Sequence, residues 1–370
     1  MQELQHTITT TLDKQLPMVV YRKPGTTTVS LIIQEDQQLH QAIDFSEQGF
    51  VFAPFDMEDT HVLIPLDAST THHYDIDEMG LLKTPPSEPD TETSTAKATH
   101  IQLVSKGIAA IRTSELQKVV LSRKHILKTN QTTPETLFIR LLHTYPNAMV
   151  YLWFHPVTGI WLGATPETLL QASNTRFKTM ALAGTQAYAG SLTVDWGTKE
   201  RDEQQLVTDE IAHRLTPLST QIEVGTASTY KAGNLLHLCT LIQGNMETSQ
   251  SLKNVIEALH PTPAVCGLPK DKAKDFIIQE EGYDRRYYTG FFGELNIQRT
   301  INRATSKRNT ENSAYKSIKK ETHLFVNLRC MEFDKGTATL YVGGGITAAS
   351  IPAAEWEETV RKTETMSKVL

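Results

Sequence analysis

The stretch MVYLWFHPVTGIWLGA, residues 149–164, contains two strand candidates, MVYLWFH (149–155) and GIWLGA (159–164). Both runs are rich in β-branched and aromatic residues, which is typical of β-strands. Further candidates on either side are KVVLSRKHIL (118–127), FKTMALAG (177–184), HLFVNLRCMEF (323–333) and ATLYVGGGI (338–346). Four shorter runs lie nearer the N-terminus, at 18–25, 28–34, 49–56 and 61–66.

Helical patterns are interspersed irregularly among these strands. Apolar residues recur at helical spacing in 99–115, and helices are also predicted at 134–143, 199–215, 252–260 and 352–370. We therefore predict an α+β fold, a single domain over residues 1–370 with a large mixed or antiparallel sheet. Residues 1–83 are its strand-rich part and 99–370 its core. The polar segments 84–98 and 299–320 are predicted to be an exposed loop and a surface excursion.

The composition is that of an ordinary globular protein, with 39% hydrophobic and 21% charged residues. A net charge of −6 disfavours nucleic acids as partners, because a mildly acidic chain repels phosphate backbones. No stretch reaches the roughly 18 apolar residues that span a bilayer, so no membrane partner is expected. The three cysteines, Cys239, Cys266 and Cys330, lie far apart, which argues against a zinc site. Together with an N-terminus that lacks a signal-peptide pattern, they predict a cytoplasmic protein.

Acidic residues lie on the apolar side of the predicted helix 199–215. Val207, Ile211 and Leu215 recur every four residues and mark a buried face. Glu203 falls four residues before Val207, and Glu200 falls three residues before Glu203. Both carboxylates therefore lie at or near the buried face rather than opposite it.

The C-terminal helix repeats this pattern, because Glu355, Glu358, Lys362 and Met366 share one face. Carboxylates three residues apart repel each other unless a cation lies between them. Two such pairs could converge on one divalent cation, and ligation by oxygen alone suits Mg²⁺. A solvated acidic face on each helix would give the same spacing, and the spacing alone favours that simpler interpretation.

Single residues add further candidates. Lys118 opens an apolar strand, where a lysine can act as a base or can extend to solvent. Glu167, in GATPETLL, could be a buried general acid or a helix N-terminal residue. Arg329, in a predicted strand, would be costly to bury without a carboxylate partner from a ligand or the protein. The run Gly343-Gly344-Gly345 would let a ligand approach the backbone closely.

Nine segments together resemble the chorismate-utilising enzymes, a family of isochorismate synthases, salicylate synthases, anthranilate synthase large subunits and aminodeoxychorismate synthases. They appear in the family's order and cover about residues 100–370, whereas 1–95 match only loosely. The segments are KVVLSR (118–123), GATPETLL (163–170), ALAGTQ (181–186), KERDEQQLV (199–207), LHPTPAVCGLPK (259–270), EGYDRRYYTGFFGEL (281–295), VNLRCMEF (326–333), YVGGGI (341–346) and AEWEETVRK (354–362).

The resemblance implies one large domain with two stacked, mostly antiparallel sheets flanked by helices, and a site for chorismate and one Mg²⁺. It implies that Glu203 and Glu358 ligate the metal, while Glu200 and Glu355 hold its waters. It further implies that Lys118 takes a proton from the water that attacks C2 of the ring, and that Glu167 protonates the departing C4 hydroxyl. The implied substrate-binding residues are Gly184, Thr185, His260, Ala264, Val265, Tyr288, Arg329, Gly343, Gly344 and Lys362.

Markers within the family favour isochorismate synthase. The segment ALAGT has Ala183 where aminodeoxychorismate synthases carry a lysine, and the LLES-type and PAGT-like elements of anthranilate synthases are absent. HPTPAVCG (260–267) and Lys118 resemble isochorismate or salicylate synthases. The alternatives that stay open are a salicylate synthase, then an anthranilate synthase component I or a non-catalytic chorismate-binding subunit. No glutaminase partner is expected. The protein is expected to be a monomer or a weak homodimer. Both menaquinone and siderophore synthesis remain possible uses of the product.

Overall fold

The structure, a computed structural model, describes residues 2–76, 93–129, 132–302 and 316–370. Its strands form two sheets in which the described pairings are antiparallel. In spatial order, sheet one consists of β15 (Gly267–Leu268), β7 (Lys118–Lys128), β19 (Thr337–Ile346), β18 (Cys330–Asp334), β9 (Gly159–Thr165), β8 (Met149–His155), β1 (Met18–Arg22), β2 (Thr28–Gln34) and β6 (Ser69–Asp75).

Sheet two consists of β12 (Ser219–Val224), β14 (Leu235–Met246), β11 (Arg176–Ala187), β10 (Thr168–Ser173), β17 (Lys316–Val326), β16 (Phe291–Asn302), β4 (Gly49–Ala53), β5 (Val62–Pro65) and β3 (His40–Gln41), with β13 (Ser228–Ala232) paired to β14. The helices of the described ranges are α1 (Gln2–Asp13), α2 (Ser94–Thr113), α3 (Pro134–Thr144), α4 (Thr198–Leu215), α5 (Leu252–Leu259), α6 (Lys270–Glu280) and α7 (Pro352–Ser367). Among these residues, no helix is both long and apolar enough to cross a membrane.

An aromatic layer holds the two sheets together. Tyr151 of sheet one meets Phe292 of sheet two at a ring separation of 4.1 Å, and Trp153 stacks on Phe52 at 4.8 Å. These rings are fully buried, so they contribute both burial of apolar area and the added attraction of tilted or stacked aromatic pairs. The strand run 149–155 therefore supplies one side of the contact between the sheets.

The helices cover the outer faces of the sheets. Helices α1 and α3 pack on sheet one, where Leu4, Ile8 and Leu137 join its core, and α4 and α5 pack on sheet two through residues such as Val207 and Val255. Helix α7 packs on β19 of sheet one, while α4 contacts β11 and β14 of sheet two. The two helices that carry the predicted acidic pairs therefore pack on different sheets.

The predicted α+β fold with two stacked antiparallel sheets is confirmed, and three local predictions are wrong. The exposed loop 84–98 ends earlier, because Thr93 Oγ accepts a hydrogen bond from the Ala96 amide and α2 begins at Ser94; residues 84–92 lie outside the described ranges. The strand 323–333 is broken between β17 and β18, with Arg329 at a positive φ of 48°. The surface excursion 299–320 is a strand pair at both ends, and residues 303–315 lie outside the described ranges.

Candidate active site

A cavity lies between the sheets, bounded by α4, α7 and the glycine-rich end of β19. Most of the residues that the resemblance selected line it, and they arrive from widely separated parts of the chain. The predicted residues in the lining are Glu167, Gly184, Thr185, Glu200, Glu203, Ala264, Val265, Tyr288, Arg329, Gly343, Gly344, Glu358 and Lys362. The fold thus brings together 13 of the 16 predicted site residues in one lining, and only Lys118, His260 and Glu355 are outside it.

Two glycines make room for the carboxylates of α4 and α7. A Cβ at Gly345 would lie 2.6 Å from Glu203 Oε1 and 3.0 Å from Lys118 Cε. A Cβ at Gly344 would lie 3.4 Å from Glu358 Oε1 and 3.7 Å from Glu355 Oε2. Lys118 and Glu355 therefore reach the edge of the cavity just behind these glycines. Because glycines have no Cβ, this run lets acidic side chains from two helices approach one strand closely.

Three of these carboxylates are each paired with a lysine. Lys118 Nζ lies 2.8 Å from Glu203 Oε1, and Lys199 Nζ lies 3.2 Å from Glu355 Oε1. Within α7, Lys362 Nζ lies 2.6 Å from Glu358 Oε1 and donates to the Gly343 carbonyl at 2.8 Å. The first pair links β7 of sheet one to α4, which packs on sheet two. The second pair links α4 to α7, which packs on sheet one.

The surroundings shift the pKa values of the two carboxylates of α7 in opposite directions. Burial raises the pKa of Glu355 and is assisted by the nearby charge of Glu358. Burial also opposes ionisation of Glu358, but the Lys362 ammonium outweighs it and holds the pKa of Glu358 below its usual range. Because the side chains of Glu203, Glu355 and Glu358 are only 15%, 4% and 22% exposed, these helix faces are not the solvated acidic faces of the simpler interpretation.

We call Gly343–Gly345 of β19 the glycine cradle. The donors that face it are all oxygen atoms, which fit a hard divalent cation. Among the described residues, however, no three His, Cys, Asp or Glu side chains are gathered closely enough to hold a metal ion. The ion pairs with lysine explain why the carboxylates are not gathered around one point. Each ammonium already supplies the positive charge that its carboxylate requires when buried.

Glu167 is a buried carboxyl group that stays protonated near neutral pH. It lies between β9 and β10, where its amide donates to Thr165 Oγ and its carbonyl accepts from the Val326 amide. Burial raises the pKa of Glu167 to about 8, outweighing the cations Lys118 and Arg329 that lower it. The alternative of a helix N-terminal glutamate is wrong, because Glu167 joins two strands. A group with this pKa can donate a proton at pH 7.

Arg329 brings a cation to the lining of the cavity. The break between β17 and β18 turns its side chain into the site, and it is not part of a strand as predicted. Its Nη1 is buried and has no hydrogen-bond partner among the described residues. A buried guanidinium with an unused donor is suited to a carboxylate of a ligand.

His237, on β14, lines the cavity and was missed by the sequence analysis. Its Nδ1 lies 2.9 Å from the Gly184 carbonyl oxygen, so Nδ1 carries the proton and donates it. Burial lowers the pKa of His237 to about 3, with Arg329 and Lys362 adding to the effect. The ring is therefore neutral, and Nε2, which has no partner in the described structure, is a hydrogen-bond acceptor. A histidine inside the mostly apolar run LLHLCTLI (235–242) was the available signal.

His260 lies outside the cavity lining, contrary to the expectation from the resemblance. It is fully buried, and its Nε2 lies 3.2 Å from the carbonyl oxygens of Pro54 and Phe55. Gln204, on the buried side of α4, is also structural. Its Nε2 donates to the Ala181 carbonyl at 3.0 Å and to Thr240 Oγ at 3.1 Å, which anchors α4 on sheet two.

The family model described as chorismate binding enzyme matches residues 66–302, and a second model of the same description matches residues 314–368. Since the first match alone spans more than half of the chain, this protein belongs to the chorismate binding enzymes. The predicted resemblance is thereby confirmed.

Individual relatives are isochorismate synthases by name. Isochorismate synthase EntC of Escherichia coli K12 is 28% identical over 284 residues, covering 74% of this chain and 67% of the relative. Isochorismate synthase DhbC of Bacillus subtilis is 28% identical over 285 residues, covering 72% of this chain and 66% of the relative. The solved structure of MenF, the menaquinone-specific isochorismate synthase of Escherichia coli, superposes with a TM-score of 0.75 at 20% identity, covering 96% of this chain and 89% of that one. That similarity supports the fold.

Proposed function

We propose that the protein is an isochorismate synthase, which converts chorismate to isochorismate by adding water at C2 and losing the hydroxyl at C4. The observation that carries the proposal is Glu167, a buried carboxyl group with a pKa of about 8 in the cavity that the Lys118–Glu203 pair adjoins. An acid that is protonated at neutral pH suits the departure of a hydroxyl group, which leaves more easily as water. The names of the curated relatives support the same reaction.

We further propose that the site holds one Mg²⁺, with Glu203 and Glu358 as direct ligands and Glu200 and Glu355 holding its waters. The glycine cradle of β19 and the all-oxygen donor set support this assignment. When bound, Mg²⁺ would supply positive charge for a carboxylate of the substrate.

The chain's own residues divide the remaining work. Lys118 Nζ is 1% exposed and lies 2.8 Å from Glu203 Oε1. To act as the base it must be the neutral amine rather than the ammonium, and in that form it takes a proton from water as the oxygen bonds to C2. The ring double bonds shift, the C4–O bond breaks, and Glu167 gives its proton to the leaving hydroxyl so that water departs. One water is added and one is released, so the reaction is an isomerisation. The tight burial of both groups limits access of other water.

Arg329 and His237 are proposed to orient the substrate. The free Nη1 of Arg329 would bind a substrate carboxylate, and the neutral His237 Nε2 would accept a hydrogen bond from a substrate hydroxyl. Lys362 would position Glu358 and the Gly343 carbonyl that it contacts. We place the enzyme in the cytoplasm, acting without a glutaminase subunit, since water rather than ammonia is the nucleophile.

Incubation of the purified protein with chorismate and Mg²⁺, followed by chromatographic separation of the products, tests the proposal. Isochorismate alone is the expected product. Salicylate with pyruvate would instead identify a salicylate synthase, and unchanged chorismate with measurable binding would identify a non-catalytic subunit. A control without Mg²⁺, in the presence of EDTA, is expected to show no turnover.

A further inference from the structure

Lys199 differs from the other two lysines that pair with the carboxylates of the site. The Lys118 and Lys362 side chains are 1% and 14% exposed, whereas that of Lys199 is 43% exposed. Lys199 lies at the start of α4, beside Glu200, and its ammonium reaches across to Glu355 on α7. Its ammonium can therefore move into water with a smaller change in solvation than those of the two more buried lysines.

The ammonium of Lys199 also stands among several carboxylates at once. Its nearest partner is Glu355 Oε1 at 3.2 Å, and the charges of Glu203 and Glu358 act on it as well. These three residues come from two helices and face the same glycine cradle. The Lys199 ammonium thus lies where the fields of the carboxylates proposed as metal ligands overlap.

Building on the proposed Mg²⁺ site, we propose that Lys199 is a built-in competitor of the metal. Its ammonium takes the cation's place in the metal-free enzyme and has to leave when the cation binds. In the metal-free state it offsets the repulsion between Glu355 and Glu358, which lie three residues apart on α7. In exchange, it lowers the affinity of the free enzyme for Mg²⁺.

Titration calorimetry with MgCl₂ alone, in the absence of chorismate, tests the competition directly. Lys199→Met removes the charge and keeps much of the apolar stem, so Mg²⁺ should bind about tenfold more tightly than to the unmodified protein. Lys199→Arg keeps the charge and should stay near the original affinity. Lys97→Met is the matched control, because Lys97 pairs with Glu357 on the exposed side of the same helix α7 and its loss should leave Mg²⁺ affinity unchanged.

Thermal unfolding gives a second readout that does not depend on activity. In EDTA, Lys199→Met should melt below the unmodified protein, because Glu355 loses its counter-charge. Saturating Mg²⁺ should raise its melting temperature by more than that of the unmodified protein. Equal stability in EDTA together with an equal Mg²⁺-induced shift would contradict the competition.

The calorimetry also separates this inference from the proposed function. If Glu203→Gln weakens Mg²⁺ binding while Lys199→Met leaves it unchanged, the metal site stands and Lys199 is not a competitor. If the unmodified protein and every variant bind no Mg²⁺ at millimolar concentrations, the metal assignment fails, and the role of Lys199 fails with it.

Discussion

Glu167→Gln should make the protein more stable and inactive, and the gain in stability should grow with pH. Because folding raises the pKa of Glu167 from 4.5 to about 8, the folded state holds a proton that the unfolded state releases over this range. The stability of the unmodified protein is therefore unaffected by Glu167 below the lower pKa, falls as pH rises between the two values, and changes no further above about 8. Glutamine is neutral at every pH and lacks this dependence.

The magnitude follows from the size of the shift. At about 1.4 kcal/mol per pKa unit, the cost of Glu167 to folding is about 1 kcal/mol at pH 5 and about 4 kcal/mol at pH 8. The difference in unfolding free energy between Glu167→Gln and the unmodified protein should thus widen by about 3 kcal/mol from pH 5 to pH 8. This figure applies to metal-free protein, so the measurement is made in EDTA.

Urea unfolding, followed by circular dichroism at pH 5, 6, 7 and 8, measures this difference. The matched control is Glu115→Gln, which makes the same chemical change at an exposed position and should shift stability by a constant amount. A difference for Glu167→Gln that stays flat from pH 5 to 8 would refute a buried protonated carboxyl group. Activity gives an independent check: kcat of the unmodified enzyme should decline as pH rises through about 8, because the proton donor is lost.

Three other substitutions test the remaining parts of the site. Lys118→Ala should lower kcat by roughly 10²–10⁴-fold, as expected for loss of a general base, while the far-ultraviolet circular dichroism stays unchanged; normal turnover would remove Lys118 as the base. Glu358→Gln should abolish turnover at limiting Mg²⁺, and full activity there would remove Glu358 from the metal site. Gly345→Ala should displace Glu203, since its Cβ would lie 2.6 Å from Glu203 Oε1, and should weaken Mg²⁺ binding in calorimetry at least tenfold; wild-type affinity would show that the glycine cradle is not needed.

Regular periodicity was sufficient to predict the α+β class and most of the long strands and helices, whereas the arrangement in two stacked sheets was implied only by the resemblance. The runs 118–127, 149–155 and 159–164 and the helix at 199–215 match strands and a helix to within one or two residues at each end, because long apolar patterns allow few alternatives. Helix α1 was missed. Its buried Leu4 and Ile8 lie among threonines and glutamines, so its amphipathic pattern is short and weak.

The site was predictable only in part, for reasons of tertiary structure. Glu200 and Glu203 were found because their spacing places them near an apolar face. His237 was missed because nothing local distinguishes a histidine whose Nδ1 donates to a distant carbonyl, here that of Gly184. The strand break before Arg329 was missed because the run 323–333 is continuously strand-like, and only the tertiary fold requires a positive φ there.

The placement of α4 on sheet two and α7 on sheet one has a mechanical consequence. A cation held by carboxylates of both helices would connect the two sheets, in parallel with the aromatic layer that includes Tyr151 and Phe292. The separation of the sheets and the affinity for the cation are then reciprocally coupled. A substitution that increases the separation of the aromatic layer would weaken binding of the cation. A bound cation would oppose that separation by the same free energy. Packing in the aromatic layer, at a distance from the cation, would in this way influence how tightly the site binds it.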